Sequence, residues 1–371
     1  MRFCAVEGEK KRFDYIDWVK AIAICCIVAG HFFPRCGLKS LLYSFHVPIF
    51  AVVGGFLLKA PSDAKQYGKK MLQTVKRLLI PYFIWYAVFA VFQFIPPEVL
   101  DNPMVKERTP IQVLECIIFL KNLSLWNEAL WFVPAYFIVS SFSILFTYLT
   151  KGNKIASVIC AVLAFTAVII MDKMQVTINL FEIENIMGMR NIIMLLGFFL
   201  LGYSSMPIID KIMSATKSQY KNPFCYLGVV LFVVFAIIKL KLLKIDPTKS
   251  NPQGYYPISL YSGKYSDMLY YVVLGIGLCY SLILFSGLLP KCKFSELFSK
   301  HSYFIMLTHY GFFLIKSFGH LSSSMWEFDY TNAFRDAAFI LVVYWFILLI
   351  VEYFISKKPK CVKYLRLVGF N

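Results

Sequence analysis

The chain has 371 residues, 59% hydrophobic and only 16% charged, with ten cysteines and a formal net charge of +17. A mean hydropathy of +0.65 excludes an ordinary soluble globule. Lys and Arg cluster in the short segments between apolar runs, which points to membrane orientation rather than nucleic acid, and the scattered cysteines, without C-x-x-C spacing, exclude a disulfide framework or a cysteine metal site.

Counting a span as about 17 to 25 mainly apolar residues, the order along the chain is 15–33, 41–58, a basic segment from Lys59 to Arg77, then 78–95. A polar connection, 96–127, with a short surface helix expected near Ile111 to Leu120, leads to spans at 128–149, 155–171, 191–209, 223–238, 268–289, 302–319 and 336–355. These predict an all-α polytopic membrane helical bundle of ten transmembrane helices. Residues 1–371 form one integral membrane domain: a cytoplasmic lead (1–14), a ten-helix core (15–355) and a cytoplasmic tail (356–371). With both termini inside, the inner segments hold 23 Lys and Arg and the outer ones 13, the bias expected of cytoplasmic loops, although the 239–267 loop carries five Lys against it.

The first span holds the densest polar chemistry, D-Y-I-D-W-V-K-A-I-A-I-C-C-I-V-A-G-H from Asp14 to His31. Ionisable groups in hydrocarbon cost roughly 2.5 to 3.5 kcal/mol each on insertion scales, so their default reading is functional. Lys20 and His31 lie eleven residues apart, on one helical face and roughly 16 Å from each other. Asp17 falls on the same stripe and reads as a counter-ion for Lys20. His31 and His46 are placed near the outer face, with Glu128 and Trp131 entering span four from that side and His309 nearer mid-membrane. Lys76 and Arg77 mark the inner mouth. A cluster of Tyr255, Tyr256, Tyr261 and Tyr265 reads as an interfacial aromatic belt.

Five stretches then carry a resemblance. Arg12 to His31, with a basic residue, ten residues and histidine, comes first, followed by F-H-V-P-I-F with G-G-F-L from Phe45 to Leu57. K-R-L-L-I-P-Y (Lys76 to Tyr82), L-W-F-V (Leu130 to Val133) and K-H-S-Y-F-I-M-L-T-H (Lys300 to His309) follow in order. Together they resemble the acyltransferase-3 family of integral membrane acyltransferases, close to its fucose O-acetylase-like branch. The resemblance implies transfer of an acyl group, usually acetyl, from cytoplasmic acyl-CoA to a hydroxyl of a cell-envelope carbohydrate or lipid-linked glycan. It implies a multi-pass protein of the bacterial cytoplasmic membrane, with acyl-CoA and membrane lipid as partners, no permanently bound cofactor and no nucleic acid.

Under that reading His31 serves either as general base or as a nucleophile forming an acyl-imidazole, with His46 beside it. Lys20 steers the pantetheine arm or stabilises charge near the thioester. Lys76 and Arg77 pair with coenzyme A phosphates, with Asp17 completing the donor side. Glu128, Trp131 and His309 are assigned to the accepting substrate. Lys20 departs from the Arg of many relatives, Gly54 stands where a Ser-Gly pair is common, and Thr74 replaces the first Arg of an Arg-x-x-Arg pair. No phosphate loop, dinucleotide fingerprint, H-x-x-x-x-D motif or zinc-binding His pair is present. The rival from another class is a transporter or flippase for a glycan or lipid-linked sugar, in which the polar seam is a permeation path.

Overall fold

Helix α1 (Asp14–Phe32) is apolar on nearly every side, and Tyr15, Val19, Ala21, Ala23, Ile24 and Val28 are all buried along it. It therefore runs through the bundle, packed against helices from both halves of the chain. A computed structural model describes residues 13–33, 37–91, 109, 111, 128–174, 189–216, 219–242, 268–311 and 330–370 of the protein. The 96–127 connection, apart from its Thr109 and Ile111, and the tyrosine-rich 255–265 stretch lie outside the described residues.

The second expected span is two helices, α2 (Gly37–Tyr43) and α3 (Pro48–Leu57). Pro48 has no N–H to give to the preceding turn, so the helix restarts with proline in its first turn, where that N–H would be unpaired anyway. Helix α4 (Ala64–Thr74) has no buried residue and is capped by Asp63, whose carboxylate accepts from the Gln66 N–H at 2.8 Å. A wide π-turn, Val75–Leu79, joins it to α5 (Ile80–Val91). Pro81 explains the widening, because its ring excludes the normal bond to the carbonyl four residues earlier, that of Arg77.

A short 3-10 turn, Glu128–Trp131, opens α6 (Phe132–Leu149). The chain reverses at Lys151 and Gly152, both at positive φ (51° and 75°), and enters α7 (Lys154–Lys173). Asn153 caps α7 by accepting from the N–H groups of Ile155 and Ala156 at 2.9 and 3.1 Å. Asn153→Ala is expected to lower stability by about 1 kcal/mol, seen as a small drop in melting temperature in detergent with activity unchanged.

Helices α8 (Met189–Met213), α9 (Pro223–Leu242), α10 (Met268–Ser286), α11 (Lys293–Lys300), α12 (Ser302–Thr308), α13 (Tyr330–Lys357) and α14 (Val362–Leu367) complete the order. Among the described residues there is no strand, and eight segments are long and apolar enough to cross a membrane. They correspond to eight of the ten expected spans. Of the other two, 78–95 and 302–319, the described parts are α5 and α12, and the remainders, 92–95 and 312–319, lie outside the described residues.

Small residues set the tightest crossing. Gly54 and Gly55 of α3 face Phe199, Tyr203 and the Tyr136 hydroxyl, while Gly202 of α8 lies against the Val52 backbone, so the two helices meet nearly backbone to backbone. The outer ring is formed by α7, α9 and α13, which expose Ile159, Leu163, Val230, Val233, Phe346 and Ile350, as a lipid-facing surface requires. Element order gathers the Lys59–Arg77 segment, the Lys151–Lys154 turn, Lys291 to Lys300 and the Lys357–Arg366 tail at one end of the bundle.

Candidate active site

Two rungs at different depths connect α1 to the α11–α12 segment. At the lysine-rich end, Ser299 is the node of the lower rung. Its hydroxyl donates to Asp17 Oδ1 at 2.6 Å, and its carbonyl accepts from Lys20 Nζ at 2.5 Å and from the Ser302 hydroxyl at 3.0 Å. Ser299 lies in the last turn of α11, where unpaired carbonyls and the negative end of the helix dipole favour a cation, so Lys20 has a specific electrostatic reason to sit there. Beside it, Glu352 of α13 receives Lys300 Nζ at 2.6 Å and lies 2.8 Å from the His301 ring nitrogen.

From Ser299 the chain climbs ten residues to His309, while α1 climbs eleven from Lys20 to His31. At 1.5 Å per residue both rise about 15 to 16 Å, which brings His309 level with His31. The two rings stand with centroids 5.1 Å apart. His31 Nδ1 faces two phenols, the Tyr310 hydroxyl at 2.9 Å and the Tyr43 hydroxyl at 3.3 Å. Gly30 makes this possible: Tyr43 crosses it so closely that a Cβ there would stand 2.9 Å from the ring. The Tyr43 ring in turn lies 4.6 Å from that of His46.

His46 and His309 are both buried, and each ring is pinned by carbonyls of the helical turn before it. His46 Nδ1 is 2.7 Å from the Leu42 carbonyl oxygen at the α2–α3 break, and His309 Nδ1 is 3.1 and 2.9 Å from those of Ile305 and Met306. Lys39 reaches the Phe33 carbonyl at 3.0 Å and holds its charge 5.5 Å from the Tyr43 ring, at the lip of the cluster.

His31, His46 and His309 thus meet in one cluster, with His309 beside the His31 ring. Lys20 and Asp17 share the other rung, with Lys20 about 16 Å below His31 along α1. Trp131 is buried next to α12, Glu128 opens the same turn, and the Glu128 side chain lies outside what is described. Lys76 and Arg77 are exposed on the π-turn at the lysine-rich end. Arg77 is within electrostatic reach of the Tyr136 and Tyr303 hydroxyls, and Tyr303 donates to the Leu78 carbonyl at 2.5 Å, tying the π-turn to α12.

The family model described as "Acyltransferase domain", that of the acyltransferase-3 family, matches residues 13–356, nearly the whole chain. The chain belongs to the acyltransferase-3 family. No curated protein and no solved structure matches it. The matched region of this membrane acyltransferase includes both rungs, the π-turn and Glu352 of α13. Sequence reasoning missed Ser299, Tyr43, Tyr310 and Lys39. Tyr310 directly follows the His309 motif and was the one most open to detection. The acyltransferase offers no group of three or more His, Cys, Asp or Glu side chains arranged to hold a metal among its described residues. The two rungs offer imidazoles, phenols and an amine, groups able to serve proton transfer and acyl transfer.

Proposed function

We propose that this acyltransferase moves an acyl group, acetyl first among the candidates, from cytoplasmic acyl-CoA to a hydroxyl of a cell-envelope carbohydrate or lipid-linked glycan. It works in a bacterial cytoplasmic membrane, within the fucose O-acetylase-like branch of the family, and uses no permanently bound cofactor. The observation that carries the reading is the His31, His46 and His309 cluster, standing about 15 Å above a rung that ends in Lys20 and a cationic π-turn. An acyl-CoA approaching from the lysine-rich end keeps its phosphates on Lys76 and Arg77, while its thioester reaches the imidazoles.

The decisive experiment supplies labelled acetyl-CoA to one side of proteoliposomes and a panel of envelope saccharides to the other. A transferase leaves free coenzyme A and a labelled ester, whereas a flippase moves the saccharide without acyl-CoA. Changing Lys76 and Arg77 together to Ala is expected to raise the KM for acetyl-CoA by about tenfold or more, as loss of one to two charge-assisted hydrogen bonds implies, with kcat little altered. Equal acetyl-CoA binding by the double variant and the wild type removes the inner mouth from the donor path.

A further inference from the structure

We propose that His309 Nε2 is the atom that takes the proton of the accepting hydroxyl, an assignment that rests on the acyl-transfer reading above and divides its chemistry between two histidines. Backbone carbonyl oxygens can only accept hydrogen bonds. His309 Nδ1, 3.1 and 2.9 Å from the Ile305 and Met306 oxygens, therefore carries the ring proton of the neutral imidazole, leaving Nε2 as a bare lone pair. That nitrogen is fully buried and has no hydrogen-bond partner among the described residues. A buried acceptor left unpaired beside a second reactive ring calls for an explanation, and proton acceptance from a bound alcohol supplies one.

His31 has the opposite setting. Its Nδ1 faces phenols rather than carbonyls, and a phenol is the better proton donor, so Tyr310 at 2.9 Å gives its hydrogen bond to Nδ1. The proton of the neutral His31 ring then sits on Nε2, as a donor. Two rings 5.1 Å apart thus offer one bare nitrogen and one N–H. As the alcohol O–H bond breaks, its proton passes to His309 Nε2 while the oxygen forms a bond to the thioester carbonyl carbon. The His31 N–H stabilises the negative charge that develops on the carbonyl oxygen. The C–S bond then breaks, and the departing sulfur takes the proton back from His309, giving the ester and the free thiol with His309 restored.

The test joins a spectrum to a rate. Nitrogen-15 NMR of histidine-labelled protein in lipid at neutral pH has five rings to resolve, and His309→Asn identifies the signals of His309. A ring protonated on Nδ1 and bare on Nε2 is expected; a proton on Nε2, or a doubly protonated ring, overturns the assignment. In the labelled acetyl-CoA assay, the Asn amide can still donate to the same carbonyls, yet kcat is expected to fall by about 10²–10⁴-fold with KM for acetyl-CoA unchanged. The deficit should shrink when trifluoroethanol replaces ethanol as acceptor, because the more acidic hydroxyl needs less help, a response that a merely structural residue would not give. Near wild-type turnover, or a loss confined to KM, overturns the proposal. If His309→Asn unfolds in detergent, His309→Gln serves as the second variant. Wild-type protein that makes no ester with any acceptor defeats the acyl-transfer reading instead, and the spectrum still reports the proton on His309.

Discussion

His31→Ala is expected to cripple ester formation, lowering kcat by about 10²–10³-fold while acetyl-CoA still binds. The reason is positional. His31 stands at the far end of α1 from the lysine-rich end, with its ring held by Tyr310 and Tyr43 and tilted beside that of His309, so its loss alters the histidine cluster without disturbing the lysine-rich end. Lys20→Ala provides the contrast. It deletes the bond to the Ser299 carbonyl in the last turn of α11, so the change should appear in donor affinity and in stability more than in the chemical step. Equilibrium binding of acetyl-CoA beside single-turnover rates separates the two outcomes. A His31→Ala protein that turns over normally removes the cluster from the reaction.

The largest structural effect is expected at the α3–α8 crossing. A Cβ on Gly55 would overlap the Phe199 carbonyl oxygen, and one on Gly202 would overlap that of Val52; both obstacles are backbone, which cannot rotate away as a side chain can. Ordinary overpacking costs about 1–3 kcal/mol, and forcing two helix backbones apart lies at or beyond the top of that range. Gly55→Val and Gly202→Val should therefore yield aggregated or protease-sensitive protein, whereas Gly68→Val, at an exposed position on α4 with nothing within 4 Å of a new Cβ, should give a monodisperse preparation. Size-exclusion profiles in detergent check all three. Equal behaviour of the three variants would mean that the crossing contributes little to the bundle.

Much of the frame was legible because apolar runs of span length report a membrane helix without tertiary information. The α1 seam was legible for a related reason: helical spacing fixes which residues share a face, so Asp17, Lys20 and His31 could be aligned from the sequence alone. Helical spacing says nothing about the partner helix. Thus neither the meeting of His309 with His31 nor that of Asp17 with Ser299, 282 residues away, could be read from it. Ser299, Tyr43 and Tyr310 sit in or next to apolar runs where a hydroxyl is common, so nothing in composition marked them. The break between α2 and α3 is carried by Pro48, whose missing N–H interrupts what the apolar run 41–58 presents as one span. His46 does face the His31 region, though through the Tyr43 ring.

The lower rung also bears on biogenesis. Helix α1 leaves the ribosome well before α11 and carries an acid and an amine into the bilayer, yet the serine that receives both is made some 280 residues later. Until then those groups must be tolerated by lipid, water defects or an insertion chaperone. Nascent chains halted before Ser299 should therefore be cleared by membrane quality control far faster than those halted after it, with the amine and acid of α1 as the degradation signal.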